Sequence, residues 1–206
     1  MSANLQAWRD TWSALGAPAD EELHRRLIER WSEPHRRYHA LAHLESCLAR
    51  FDTVRTQVRR PGEVALGLWF HDAIYEPRRH DNEERSAQWA RDSVLRAGLP
   101  EDVASRVEAL VMATRHEAVP TDADARVLVD IDLSSLGDEP AQFDAADAAI
   151  GEEYAHVPPA EFKAGRRAVL EGFLARPRIF ATEHFHALYE ERARENLKRT
   201  IARLAR

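Results

Sequence analysis

Apolar residues return at three- and four-residue spacing along almost the whole chain, a period that confines it to amphipathic helices packed on one another. No stretch reads convincingly as a strand. The period predicts helices over residues 4–15, 20–31, 39–57, 62–74, 82–97, 101–115, 122–136, 140–154, 159–175 and 183–205. Leu5, Trp8, Trp12 and Leu15 share one face of the first, and Leu23, Leu27, Ile28 and Trp31 one face of the second. Proline stands at or near the joints from Pro34 to Pro177, where it stops a helix because it lacks an N–H and clashes with the preceding turn. The joints are short, and no internal repeat, low-complexity tract or flexible linker separates one part from another. The expected fold is all-α: one domain over residues 1–206, a bundle of about nine or ten helices with the N-terminal helices 1–33 packed on it.

A chain of 206 residues, 44% hydrophobic and 31% charged, is long enough for one well-buried core. Its net charge of −6 does not fit a general nucleic-acid binder, which needs a basic surface to displace counterions from phosphates. An anionic substrate would have to be drawn in by local cations or by a metal. No apolar run approaches the roughly 20 residues that cross a bilayer. The opening MSANLQAWRD lacks the basic and apolar regions of a secretory signal, so a cytoplasmic location is expected. The single cysteine, Cys47, forms no internal disulfide and reads as a buried thiol in an apolar helical pattern.

Within 62–74 the run VALGLWFHDAI is apolar nearly all round, which marks a helix at the centre of the core. His71 and Asp72 at its end are therefore the oddest pair in the sequence, because an unpaired buried charge is costly. Either a metal compensates them, or His71 caps the helix and Asp72 pairs with a nearby arginine. In RRYHALAHLESCL, His39 and His43 stand four apart and would share a helix face, as when one helix offers imidazoles to a metal. In RVLVDIDLSSLG, Asp130 and Asp132 interrupt a run of valine, leucine and isoleucine, which invites a partner or marks a helix start.

Taken in order, these features (a histidine, then an HD pair, then an aspartate, each in an apolar helical setting) resemble the HD-domain superfamily of metal-dependent phosphohydrolases. The likeness extends to a bacterial branch described as predicted metal-dependent HD phosphohydrolases, through SEPHRRYHALAHLE, LWFHDAIYEP, DNEERSA, ATRHE, DIDLSSLG, GRRAVLEGFLARPRIF and ARENL. The resemblance implies an HD-domain-like bundle binding a divalent metal through His43, His71, Asp72 and Asp132, with Asp130 the alternative to Asp132. YHALAH also resembles the YHN-x-x-H pattern of class I cyclic-nucleotide phosphodiesterases, with Ala40 in place of asparagine. That likeness makes His39 the general acid and His43 a metal ligand.

The implied reaction cleaves a small phosphorylated metabolite, a nucleotide among the candidates, with a metal-activated water. Mixed nitrogen and oxygen ligands suit manganese, iron, cobalt, nickel or zinc, one or two ions per chain. Asp72 would accept the water proton or bridge two metals. Glu83 and Glu84 in DNEERSA either favour the positive end of a helix or bind water or a second metal. His116 either caps its helix or, by the resemblance, contacts substrate or a second metal. Arg166, in FKAGRRAVLEGF, is the arginine best suited to clamp a phosphate, an exposed salt bridge being the alternative. Two other functions fit the same resemblance: a regulatory module that binds nucleotide without turnover, and a di-iron oxygenase, for which only His116 offers an extra histidine. His184 and His186, two apart, point to different helix faces and do not read as a metal pair. The five tryptophans read as core, and the last helix either closes the bundle or contacts a partner, a second copy of the chain included.

Overall fold

The computed structural model describes residues 3–205, all helix, turn and loop, with ten α-helices among them. They are α1 Leu5–Ala14, α2 Glu21–Trp31, α3 Leu41–Val54, α4 Pro61–Phe70, α5 Asn82–Arg96, α6 Glu101–Met112, α7 Ala123–Leu133, α8 Pro140–Glu153, α9 Pro159–Leu174 and α10 Glu183–Leu204. The expected spans 39–57, 101–115 and 122–136 each end in a tighter 3₁₀ turn, at Arg55–Gln57, Ala113–Arg115 and Ser134–Gly137. No described helix is long and apolar enough to cross a membrane. Two compact units divide the chain inside α7, after Ile131.

In the first unit α4 is buried from Gly62 to Phe70, as its all-round apolar sequence predicts, and it packs against α1, α3, α5 and α6. Trp69 and Trp8 meet edge to face with ring centroids 5.2 Å apart. Their indole N–H groups are both satisfied, Trp69 Nε1 donating to Thr11 Oγ1 at 3.3 Å and Trp8 Nε1 to the Asp20 carbonyl at 2.8 Å; Trp31 Nε1 donates to the Trp69 carbonyl at 3.1 Å. Trp8, Trp12, Trp31 and Trp69 are core residues as expected, whereas Trp89 is half-buried with the Arg26 guanidinium over its ring. Glu63, buried near the start of α4, is held by Arg106 of α6 through its Nε and Nη2. The start of α7 is tied down as well. Asp122 accepts from the N–H groups of Asp124 and Ala125, a helix N-cap, and buried Asp124 accepts from the N–H groups of Arg59 and Arg60 just before α4.

One expected boundary is corrected. The apolar run predicts helix to residue 74, but α4 stops at Phe70 and His71 is its C-cap. Ala73 N–H turns back to the Phe70 carbonyl at 3.0 Å. The next polar groups are taken from outside the helix: Ile74 N–H by Ser86 Oγ, Glu76 N–H by Asn82 Oδ1, and the Asp72 and Ala73 carbonyls by Arg36. Side chains from other elements thus satisfy the backbone that a longer helix would have satisfied itself.

In the second unit the turn Ser134–Gly137 packs on α10. Asn196 Nδ2 donates to the carbonyls of Leu136 and Asp138, both at 2.9 Å. A Cβ on Gly137 would meet Tyr189 at 2.6 Å from its Cβ, 2.7 Å from its carbonyl oxygen and 3.0 Å from its Cα. Two of these atoms are backbone, which no rotamer change moves. Gly137→Ala is expected to push the turn off α10 and cost about 1–3 kcal/mol, read as a lower denaturant midpoint. An unchanged midpoint would mean that the turn and helix separate freely. Glu190, buried on α10, accepts from the Ile179 and Phe180 N–H groups and from Arg194. Burial pushes its pKa up, but these bonds outweigh burial and leave it below the ordinary glutamate value.

Candidate metal centre

Residues from α3, the end of α4 and the last turn of α7 converge on one point. His43 and Cys47 project from α3 one turn apart, His71 caps α4, and Asp132 lies near the end of α7. One ligand atom from each falls within 4.8 Å of the others. His43, Cys47 and His71 are buried and Asp132 is half-buried.

The donor set passes a test of fit to a transition metal. His71 Nδ1 lies 2.8 Å from the Leu68 carbonyl. A carbonyl only accepts, so Nδ1 carries a proton and Nε2 is the ring atom that faces the site, able to offer its lone pair to a metal when the ring is neutral. A metal-ligating imidazole is commonly fixed in this way, its other N–H on a backbone carbonyl. That Nε2 stands 3.1 Å from His43 Nε2, near the roughly 3.4 Å that separates two imidazole nitrogens on one tetrahedral ion. Asp72 is outside the four-residue group, but its Oδ2 lies 3.3 Å from His71 Nε2. Trp31 packs on both imidazoles, with ring centroids 6.4 Å from His43 and 5.2 Å from His71. Tyr38 lies 4.9 Å from His43. This aromatic wall lowers the local dielectric and strengthens charge–charge attraction at the site.

Arg36 joins the two loops that carry the site. Its side chain is wholly buried. Nη1 donates to the carbonyls of His39 and Asp72 at 2.9 and 2.7 Å, Nη2 to that of Ala73 at 3.2 Å, and Nε to the Glu33 carboxylate at 3.1 Å. The guanidinium also lies 5.4 Å from the Trp31 ring and 5.5 Å from the Tyr75 ring, contacts that offset part of its lost hydration. One planar fork thereby sets the turn after α4 against the approach to α3.

The other expected site residues divide. His39 does not share a helix face with His43: α3 begins only at Leu41, after an extended Ala40. His39 is instead stacked on Tyr75 at 4.2 Å, its ring centroid 6.2 Å from that of His43. Asp130 is fully buried and outside the group that includes Asp132, because residues two apart on a helix face nearly opposite ways. Glu83 and Glu84 begin α5. Burial raises the Glu83 pKa, and the negative charge of Asp72 raises it further, while Glu84 accepts from Arg115 Nη1 at 2.5 Å. His116 ends the turn after α6 with φ 58°, the left-handed region that a non-glycine residue seldom enters. Arg166, in the second unit, is engaged by Asp147 at 2.9 Å.

Two residues at the site were not singled out by sequence reasoning. Cys47 read only as a core thiol, although its place four residues after His43 was a signal for a shared face. Arg36 carried no signal, since nothing in a run of arginines marks the one that turns inward. No protein-family model, curated protein or solved structure matches the chain.

Proposed function

We propose that the chain is a metal-dependent phosphohydrolase acting on a small phosphorylated metabolite, a nucleotide or simple phosphate ester. The observation that carries this reading is the convergence of His43, His71 and Asp132 on one point, with His71 Nε2 directed into it. The order of these residues along the chain is also the one in which the sequence resembles HD-domain phosphohydrolases. A divalent transition ion at the centre would lower the pKa of a water, polarise a phosphoryl oxygen and put positive charge where the phosphate binds, in a chain whose net charge is −6.

The protein's own residues complete the reaction. Asp72, with Oδ2 beside His71 Nε2, receives the proton of the attacking water. His39, oriented by its stack on Tyr75, donates a proton to the leaving oxygen. Arg36 holds the backbone of both, through the Asp72 and His39 carbonyls. Trp31 and Tyr38 exclude water from the imidazole side.

The test is reconstitution. Protein stripped with a chelator and reloaded with manganese, iron(II), cobalt, nickel or zinc is expected to bind one or two ions. It should release phosphate, or a nucleoside monophosphate, from a panel of monoesters, diesters and nucleoside phosphates. An ion bound without turnover on any of them, but with tight nucleotide binding, would replace the hydrolase by a regulatory module. Iron-dependent oxygen uptake would replace it by an oxygenase.

A further inference from the structure

We infer that Cys47 is itself a metal ligand, its thiolate completing a His43–Cys47–His71–Asp132 set selective for a borderline-soft transition ion. The inference rests on the metal centre proposed above, not on the reaction assigned to it.

Cys47 is wholly buried and faces the two imidazoles. Its Sγ lies 3.7 Å from His43 Nε2 and 4.0 Å from His43 Nδ1. His43 Nε2 is also the atom that stands 3.1 Å from His71 Nε2, so the sulfur and both nitrogens crowd the same space. Bonds of about 2.3 Å to sulfur and about 2.05 Å to nitrogen, at tetrahedral angles, place sulfur and nitrogen about 3.6 Å apart. The observed 3.7 Å matches that spacing. Besides its buried helix neighbours Leu44, Leu48 and Phe51, Cys47 has imidazole nitrogens and a carboxylate oxygen in reach, all within the same 4.8 Å.

The chemical consequence is selectivity. Carboxylate and imidazole alone accept a broad range of ions, manganese included, whereas a thiolate favours zinc, cobalt or iron(II) and disfavours magnesium and calcium. Binding requires the thiolate form, so the sulfur's proton passes to solvent as the ion enters. Cys47 and His43, one turn apart on α3, would hold the ion together with His71 and Asp132, and a fifth position would take the water that the proposed reaction needs.

Cobalt(II) loaded into the full chain tests this, because Cys47 is the sole cysteine and any thiolate signal must come from it. The wild type is expected to show a thiolate-to-cobalt charge-transfer band in the near ultraviolet beside the visible d–d bands. Cys47→Ser should lose that band and bind the ion at least about ten- to a hundredfold more weakly, since losing a direct ligand costs no less than losing an outer partner. Circular dichroism of the variant reports whether it has folded, and the wild-type spectrum decides the matter even if it has not. Stoichiometric cobalt with d–d bands but no charge-transfer band in the wild type would overturn the inference and leave the metal centre standing. No cobalt or zinc bound to the wild type would overturn both.

Discussion

Asp72→Asn is expected to cut metal-dependent phosphate release by about a hundred- to ten-thousandfold, the usual contribution of a positioned proton acceptor. The substitution preserves shape and removes only the charge and the basic oxygen. Far-ultraviolet circular dichroism should be unchanged, because the backbone carbonyl of residue 72 that Arg36 binds is kept in the variant. His71 Nδ1 keeps its bond to the Leu68 carbonyl, so the imidazole pair remains arranged for a metal. The expected pattern is therefore a large fall in kcat with a smaller loss of bound metal. Full activity in the variant would remove Asp72 from the reaction and with it the hydrolytic role of the HD pair. Loss of metal in proportion to activity would make Asp72 a ligand before a base.

Arg36→Met is expected to lower unfolding free energy by about 3–5 kcal/mol, the range for removing one partner of a buried charged network. Methionine fills much of the volume between Trp31 and Tyr75 but donates nothing. The carbonyls of His39, Asp72 and Ala73 would then lose the guanidinium that satisfies them, and buried acceptors left unpaired cost about 1–3 kcal/mol each. The same change frees the turn after α4, so metal affinity should fall about ten- to a hundredfold in whatever fraction remains folded. Arg36→Lys restores the charge but not the planar fork, and is expected to recover part of the stability and little of the affinity. Chemical denaturation and a metal titration read the two effects separately. Wild-type affinity in a destabilised Arg36→Met protein would show that Arg36 supports the fold alone.

The helices were legible in the sequence because each buries one face, and the spacing of its apolar residues records that face directly. Most predicted ends fall within a residue or two of the structure, since proline and the N-capping Asp20 and Asp122 act through local geometry. The exception is instructive. The run VALGLWFHDAI has no polar residue to mark where its helix stops, and α4 ends where Arg36, Ser86 and Asn82 capture the following backbone. Arg36 is remote in sequence, and Ser86 and Asn82 reach back from the next helix, so the apolar pattern of the run itself holds no trace of them.

The site divides along the same line. His71 and Asp132 stood out because polar groups in apolar helices need compensation, an argument that one residue and its neighbours suffice to make, whereas His43 stood out by its spacing from His39 and by the resemblance. The choice between Asp130 and Asp132 depends on the rotation of α7 about its own axis, which the packing of a whole helix fixes. His39 left the expected helix face because Ala40 is extended before α3, a local backbone choice that the i,i+4 spacing does not reveal. Cys47 and Arg36 acquire their roles only when α3, the turn after α4 and α7 meet. The sequence by itself thus determined an all-helical chain and most of the donors that could hold a metal, through periodicity and the cost of burying charge. Tertiary structure alone decided which donors face one another, because rotation of helices and capture of loop backbone depend on contacts dozens of residues apart.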